Sequence, residues 1–361
     1  VMADNSKEES RMTYVLNRGA YDAPKEEEEI SPATPVALPP LPEGAPPNRL
    51  TLANWLFSDD HPLTSRVTAN QLWQLFFGTG IISTPSDFGN QGDFPSHPEL
   101  LDWLAVDLRE SGWDIKRMIK KILMTQTYRQ VSNVRPEHLE IDTSNRLLAR
   151  APRFRLPAEM IRDNVLSVGG LLVDEIGGPG VKPYQPPGLW EEVSLGGTAK
   201  FVQDHDEDLY RRSIYTYWKR SAPHPAMVIF DAPNRETCVL KRPNTNTPLQ
   251  ALAALNDIQV IEASRHFAER VIKEGGETLK SKAKFAFELA TARSPTSDET
   301  ATVLEVFENS RATYSADESK GAELLSAGES KRDGSIDQTE HAAWTLVCSM
   351  IFNLDEVLTR N

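Results

Sequence analysis

Helix-start signals recur along this chain, each followed by apolar residues at helical spacing, and they leave little room for a fold that is not helical. At Thr247-Pro248-Leu249-Gln250 the threonine hydroxyl can accept the amide three residues on. The proline fills a first helical position, where no amide partner is needed, and the glutamine can reach back. Ser96-His97-Pro98-Glu99 reads as a second capping box, opening a helix through Leu100, Leu101, Leu104, Ala105 and Leu108 that stops at Gly112. Asp114 caps the next helix, through Ile115, Met118, Ile119 and Ile122. Thr296 with Glu299, and Asp337 with Glu340, announce two more, and Pro157 stands at a first helical position before Glu159, Met160, Ile161 and Val165.

Earlier, Leu50, Leu52, Ala53, Leu56 and Phe57 share helical spacing. After a break at Asp59-Asp60-His61-Pro62, so do Val67, Leu72, Trp73, Leu75 and Phe76, ending at Gly78. From Thr247 the pattern runs through Leu249, Leu252, Leu255, Val260, Phe267 and Val271 and predicts one helix, the longest of the chain. Residues 1–47 read as an extended arm or linker: a strand candidate Met12-Thr13-Tyr14-Val15-Leu16, an acidic run, then dense proline from Pro32 to Pro47, which favours extended backbone. The expected fold is mainly α, an irregular multi-helix domain over residues 48–361. Residues 169–247 form a loop-rich insert, rich in aromatics and arginine, with one or two short strands. The strand candidates there are Arg212-Ser213-Ile214-Tyr215-Thr216-Tyr217-Trp218 and Met227-Val228-Ile229-Phe230.

Composition narrows the function classes. At 361 residues with 39% hydrophobic content the chain can bury a sizeable core, and its apolar runs fall short of the roughly 20 residues that cross a bilayer. A net charge of −13 argues against a dedicated nucleic-acid binder, which needs a positive field to release counterions from phosphate. The opening Val1-Met2-Ala3-Asp4-Asn5-Ser6-Lys7-Glu8-Glu9 lacks the basic, apolar and small-residue order of a signal peptide, and the expectation is a chain cut from something longer, with its address upstream. Two cysteines, Cys238 and Cys348, stand alone; buried free thiols are expected, with a disulfide as the alternative. No metal-type spacing occurs.

The polar residues concentrate between Asp231 and Gln250: Asp231, Asn234, Arg235, Glu236, Thr237, Arg242, Asn244, Thr245, Asn246 and Gln250. With Arg211, Arg212 and Trp218 just before them, arginine forks beside a helix start suit an anionic or polyhydroxylated ligand. In the alternative, the groups satisfy one another, with Asp231 and Glu236 pairing Arg235 and Arg242. Glu159 and Asp163, four apart on one helix with Arg155 and Arg162 nearby, can do acid/base work in a cleft or form an ion-pair network. Trp190, Tyr210, Tyr215, Tyr217 and Trp218 offer either a sugar-stacking platform or core. Cys238 as a nucleophile lacks a recognisable base spacing to His224 or His205. The run Asp333-Gly334-Ser335-Ile336-Asp337 imitates half a calcium loop, but Lys331 would sit at a ligand position, so it reads as a helix cap.

Ordered blocks along most of the chain carry a family pattern. They include Asn48-Arg49-Leu50, Trp55-Leu56, Asn70 with Trp73, Phe77-Gly78, Asp87-Phe88-Gly89, His97 to Trp103, Gly112-Trp113 and Arg153-Phe154-Arg155-Leu156. They continue with Glu159-Met160-Ile161-Arg162-Asp163, Gly177-Gly178-Pro179, Tyr210-Arg211-Arg212-Ser213, Phe230 to Cys238, Asn246 to Leu252 and Asn353-Leu354-Asp355-Glu356. The chain resembles the planctomycete domain of unknown function 1553. The resemblance implies a C-terminal module of an exported protein, an extracytoplasmic location in the periplasm or at the cell surface, and an upstream cytochrome-c-type domain that would carry haem. It implies no cofactor in this chain and no reaction. Ala20 and the acidic run after Pro24 depart from the family's usual turn. Three functions stay open: an accessory module that docks on its upstream domains or binds an anionic polysaccharide, a carbohydrate-active hydrolase using carboxylates, and a structural cell-surface scaffold.

Overall fold

Asparagine, threonine and aspartate at the chain's helix starts do what their short side chains allow, accepting amides that the first turn leaves unpaired, and fifteen α-helices result among the described residues of the computed structural model, 12–360. The opening nine residues and the start of the arm lie outside that range. Among the described residues two two-stranded sheets accompany the helices, and the protein is mainly α. No described helix is long and apolar enough to cross a membrane. Contacts cluster into two compact units, one through Ala151 and one from Pro152 onward.

In the first unit β1 (Tyr14–Leu16) pairs antiparallel with β2 (Pro24–Glu29), so the acidic run is a strand. The hairpin closes through left-handed Arg18 and Gly19. The proline-rich stretch after β2 is irregular, with turns closed by Leu38 to Pro35 and Ala45 to Pro42, and is tied down by side chains of α1 (Arg49–Leu56): Trp55 Nε1 donates to the Pro39 carbonyl at 2.7 Å and Thr51 Oγ1 to the Pro46 carbonyl at 2.6 Å. α2 (Thr64–Phe77) lays Ala69, Trp73 and Phe77 against Leu101, Leu104 and Leu108 of α3 (Pro98–Glu110), with Met118 and Ile122 of α4 (Ile115–Leu123) closing the core; α5 (Pro136–Ile141) is a short addition. Asn70, fully buried, pairs both its amide groups with the backbone of Ile82. A Cβ on Gly80 would stand 2.5 Å from that amide, which is why a glycine is needed there.

The expected capping box at Ser96 does not form. α3 starts one residue later, after His97, which puts Glu99 out of register, and Ser96 instead bonds the Ile81 carbonyl through its own amide at 2.8 Å. Its hydroxyl lies 2.9 Å from His97 Nδ1. Asp114 caps α4 as expected, accepting the Arg117 amide at 2.9 Å.

The second unit is closed at its ends by β3 (Phe154–Arg155) pairing with β4 (Thr359–Arg360). Between them run α6 (Ala158–Gly169), the short α7 (Leu189–Glu192) and α8 (Pro225–Ile229), α9 (Pro248–Asn256), α10 (Ile258–Glu274), α11 (Leu279–Thr291), α12 (Ser297–Ala316), α13 (Glu318–Leu325), α14 (Gln338–Phe352) and α15 (Asp355–Leu358). α10 packs chiefly on α14 and α6, and α12 packs on the far side of α14. The rings of Phe267 and Phe352 stack at 5.2 Å, and those of Phe307 and Trp344 meet at 4.7 Å. Burying such side chains contributes roughly 1.5–3 kcal/mol each.

Three elements of the second unit differ from expectation. The helix foreseen from Thr247 breaks at Asp257, whose backbone is extended and whose carboxylate accepts the Gln259 and Val260 amides to start α10; the longest helix is α12. The strand foreseen at 227–230 is α8, because Pro225 opens a turn and four apolar residues carry no decisive period. The strand foreseen at 212–218 is a single turn of 3₁₀ helix at Ser213–Tyr215 with isolated bridges Val173 to Arg211 and Val181 to Thr216. The Ser213 amide that a ladder would use is taken by Asp163 at 2.7 Å.

The start of α12 is pH-sensitive. Arg293 donates to both oxygens of Glu299, at 2.7 and 3.0 Å, and the Thr296 amide donates at 2.7 Å. These hydrogen bonds, Arg293 first, hold the Glu299 carboxyl near about 2, against about 4.5 in the unfolded chain. A depressed folded value means the contribution is complete above pH ~4.5 and is lost as pH falls towards 2. Urea titrations of wild type and Glu299→Gln are expected to differ most at neutral pH and to converge between pH 4.5 and 2; a gap that stays constant would contradict this.

Candidate functional site

The candidate residues all lie in the second unit, but the structure distributes them among several local arrangements. On α6, Glu159 accepts Arg242 at 2.6 Å, and Asp163 accepts the Ser213 amide at 2.7 Å with Arg162 at 3.8 Å and Arg212 at 3.9 Å. Both carboxylates are therefore engaged with cations or amides, the network form of the two readings. Among the described residues no cluster of histidine, cysteine and carboxylates has the make-up of a metal site.

Within 231–250, Asp231 Oδ2 accepts the amide and hydroxyl of Thr245 at 2.8 and 2.7 Å. Gln250, fully buried, donates to the Ile229 carbonyl at 3.0 Å and to Thr245 Oγ1 at 3.1 Å, and completes the capping box with Thr247. Asp231 and Gln250 thus meet through Thr245. The pairing of Asp231 and Glu236 with Arg235 and Arg242 is not what holds the segment: Arg242 reaches Glu159, and Arg235 lies 4.6 Å over the Trp218 ring. The Trp218 indole donates to the Asn234 carbonyl at 3.0 Å, and the Glu236 amide donates to the Asn234 side chain at 3.0 Å. Asn246 is exposed.

Arg211 is buried, bonded to the carbonyls of Pro179, Glu175 and Gly177 and stacked 4.2 Å from the Tyr215 ring. Arg212, at the surface, lies 3.7 Å from Asp174. The aromatic set divides as well. Tyr210 is buried and donates to Glu262 at 2.8 Å, whereas Trp190 meets Phe201 at 5.4 Å and Tyr217 at 5.8 Å. Lys219 sits 5.3 Å over Trp190 and Lys182 5.7 Å over Tyr217. Residues 217–219 therefore serve two cation–aromatic groups, one with Trp190 and one with Arg235.

Two anchors escaped the sequence reading. The Arg162 side chain is 11% exposed and donates to Gln259 Oε1 at 2.6 Å, the Arg211 carbonyl at 2.8 Å, Ser213 Oγ at 3.0 Å and the Leu209 carbonyl at 2.7 Å. Burial pushes its pKa down to about 10, against the pull of Asp163 and Asp257, so it stays charged at neutral pH. Glu262, fully buried on α10, accepts Tyr210 Oη at 2.8 Å and the amide and hydroxyl of Ser330 at 2.7 and 2.6 Å, with Arg265 at 3.8 Å. Burial, then Glu262, pushes the Tyr210 phenol up to about 12. A Cβ on Gly328 would collide with the Glu262 carboxyl carbon at 2.1 Å. The available signal was charge at core spacing: Glu262 and Arg265 lie within the apolar stripe of α10.

Cys348 is buried, and burial holds its thiol well above the usual value; Cys238 is exposed, against the expectation of two buried thiols, and both are free. Cys238 lies outside any packed element, in a loop where nothing covers it. Of the histidines considered as its base, His224 bonds the Tyr184 carbonyl and His205 bonds Glu329.

A family model described as PSD1, protein of unknown function (DUF1553), matches residues 48–307. No curated protein and no solved structure matches the chain.

Arg162→Met is expected to destabilise the fold by on the order of 3 kcal/mol, since buried carbonyls lose their donor, whereas Arg235→Met on the surface should stay within about 0.5 kcal/mol; urea midpoints read both. A thiol reagent added to native protein should label Cys238 rapidly and Cys348 only after unfolding, read by peptide mass.

Proposed function

We propose, since the chain belongs to that family of unknown function, that it is an accessory binding module of a larger extracytoplasmic protein and that its ligand is an acidic or sulfated polysaccharide. The observation that carries this reading is the pair of cation–aromatic groups on residues 217–219. Trp218 lies under Arg235, while Trp190 and Tyr217 lie beside Lys219 and Lys182. Sugar rings stack on aromatic faces, and a fixed cation beside the ring adds attraction for a sulfate or carboxylate. In a protein whose net charge is −13, local cations of this kind also favour a repeating ligand over nonspecific capture of polyanions.

Three of the carboxylates a glycoside hydrolase could use here are held by their neighbours. Glu159 is paired with Arg242, Asp163 accepts the Ser213 amide, and Asp231 is held by Thr245. Binding without turnover is therefore the reading we adopt. The resemblance to the planctomycete domain supports an extracytoplasmic location, with an upstream haem-carrying domain as the neighbour that the module would bring to its ligand.

Titration of the whole chain with neutral, carboxylated and sulfated polysaccharides tests this. Saturable binding of a charged member is expected, weakened by added salt. Trp218→Ala with Arg235→Ala, and Tyr217→Ala with Lys219→Ala, should each weaken it at least ~10-fold. Equal binding of neutral polymers, or binding indifferent to both double variants, would overturn the reading.

A further inference from the structure

Within the second unit, α6, α8, α9 and the start of α10 leave a small pocket that opens to solvent. Its wall is mostly apolar, with Ile161, Met227, Phe230, Phe352 and Leu358 among its lining residues.

His224 is in the wall, 8% exposed. Its Nε2 lies 2.8 Å from the Tyr184 carbonyl oxygen. A carbonyl only accepts, so the proton is on Nε2 and Nδ1 presents a bare lone pair. That Nδ1 is buried and has no hydrogen-bond partner. Burial, with Arg162 close by, keeps the imidazole neutral by lowering its pKa. A buried acceptor without a donor costs roughly 1–3 kcal/mol, which a ligand can recover.

The two charged groups in the wall are already committed. Arg162 is bound to four acceptors, and the Asp257 carboxylate caps α10 through the Gln259 and Val260 amides. They are of opposite sign, so neither an anion nor a cation gains from entering. An apolar surface, one open acceptor and balanced charge define a narrow ligand chemistry. We propose that this pocket is a binding site for an uncharged, largely apolar small molecule, an aromatic or alicyclic alcohol, whose hydroxyl donates to Nδ1 of His224. The site is separate from the surface groups of residues 217–219, so the two readings stand or fall independently.

The test uses the whole chain and three probes of one shape: 2-naphthol, naphthalene and 2-naphthoate. Saturable binding of 2-naphthol is expected, at least ~10-fold tighter than naphthalene, with 2-naphthoate the weakest. Ala253→Phe, which fills the pocket from α9, should abolish binding of all three. His224→Phe should bring 2-naphthol and naphthalene to equal affinity. Should that variant fail to fold, the ¹⁵N resonance of His224 Nδ1 in the wild type reads the bond directly, moving upfield as 2-naphthol is added. Equal affinities in the wild type, binding that survives Ala253→Phe, an unmoved Nδ1 resonance, or no binding beyond water would each overturn the proposal.

Discussion

The guanidinium of Arg162 is the interaction on which the second unit depends. The stretch between α6 and α9 has almost no ladder to satisfy its backbone, and buried carbonyls without donors are costly. Arg162 supplies donors to Leu209, Arg211 and Ser213 at once, and its fourth bond, to Gln259, fixes the same stretch against α10. Gln259 returns a bond to the Leu209 carbonyl at 2.8 Å. Asp163, the next residue, takes the Ser213 amide. One turn of α6 thereby replaces the sheet edge that an irregular segment would otherwise need, and the stack of α6 on α10 depends on it.

Glu262, one turn further along α10 from Gln259, does the corresponding work for Tyr210. Its carboxylate gathers Tyr210 from the irregular segment and Ser330 from the loop between α13 and α14, and Arg265 bonds the Leu325 carbonyl at 3.0 Å and the Ser330 carbonyl at 2.6 Å. Buried ions add little net stability, since desolvation offsets most of their attraction. What they supply is a specific docking of the loop on α10, in which Glu262 Oε1 takes all three bonds while Oε2 is buried without a hydrogen-bond partner. The close approach at Gly328 is the geometric cost of that arrangement.

Legibility of the fold followed the range of the forces. Caps are local, and Asp114, Thr247, Thr296 and Asp337 start helices where their spacing says they should. Ser96 fails because a distant carbonyl, Ile81, claims its amide, and the apparent strand at 212–218 fails where Asp163 of α6 claims the Ser213 amide. Asp257 caps α10, but the apolar period running through it hid the break from the sequence reading. For the candidate site, residue types were legible and partners were not. Glu159 and Arg242 are 83 positions apart and meet, while Arg235 and Glu236 are adjacent and do not pair.

That distinction bears on where function can lie. Arg211 and Arg162 have the residue type of an anion receptor, but Arg211 is buried and donates to three backbone carbonyls, Arg162 donates to four acceptors of its own fold, and Arg242 pairs with Glu159. Arg235 stacks on an aromatic face instead of a carboxylate, and a cation–π contact leaves the edge of the guanidinium free to donate. The same holds for the ammonium groups of Lys182 and Lys219 over Tyr217 and Trp190. A density of arginine in sequence is therefore a poor guide to a binding surface in a fold with long irregular segments, since such segments consume arginine to satisfy their own carbonyls. The cations assigned to a ligand, Arg235, Lys182 and Lys219, lie over rings instead.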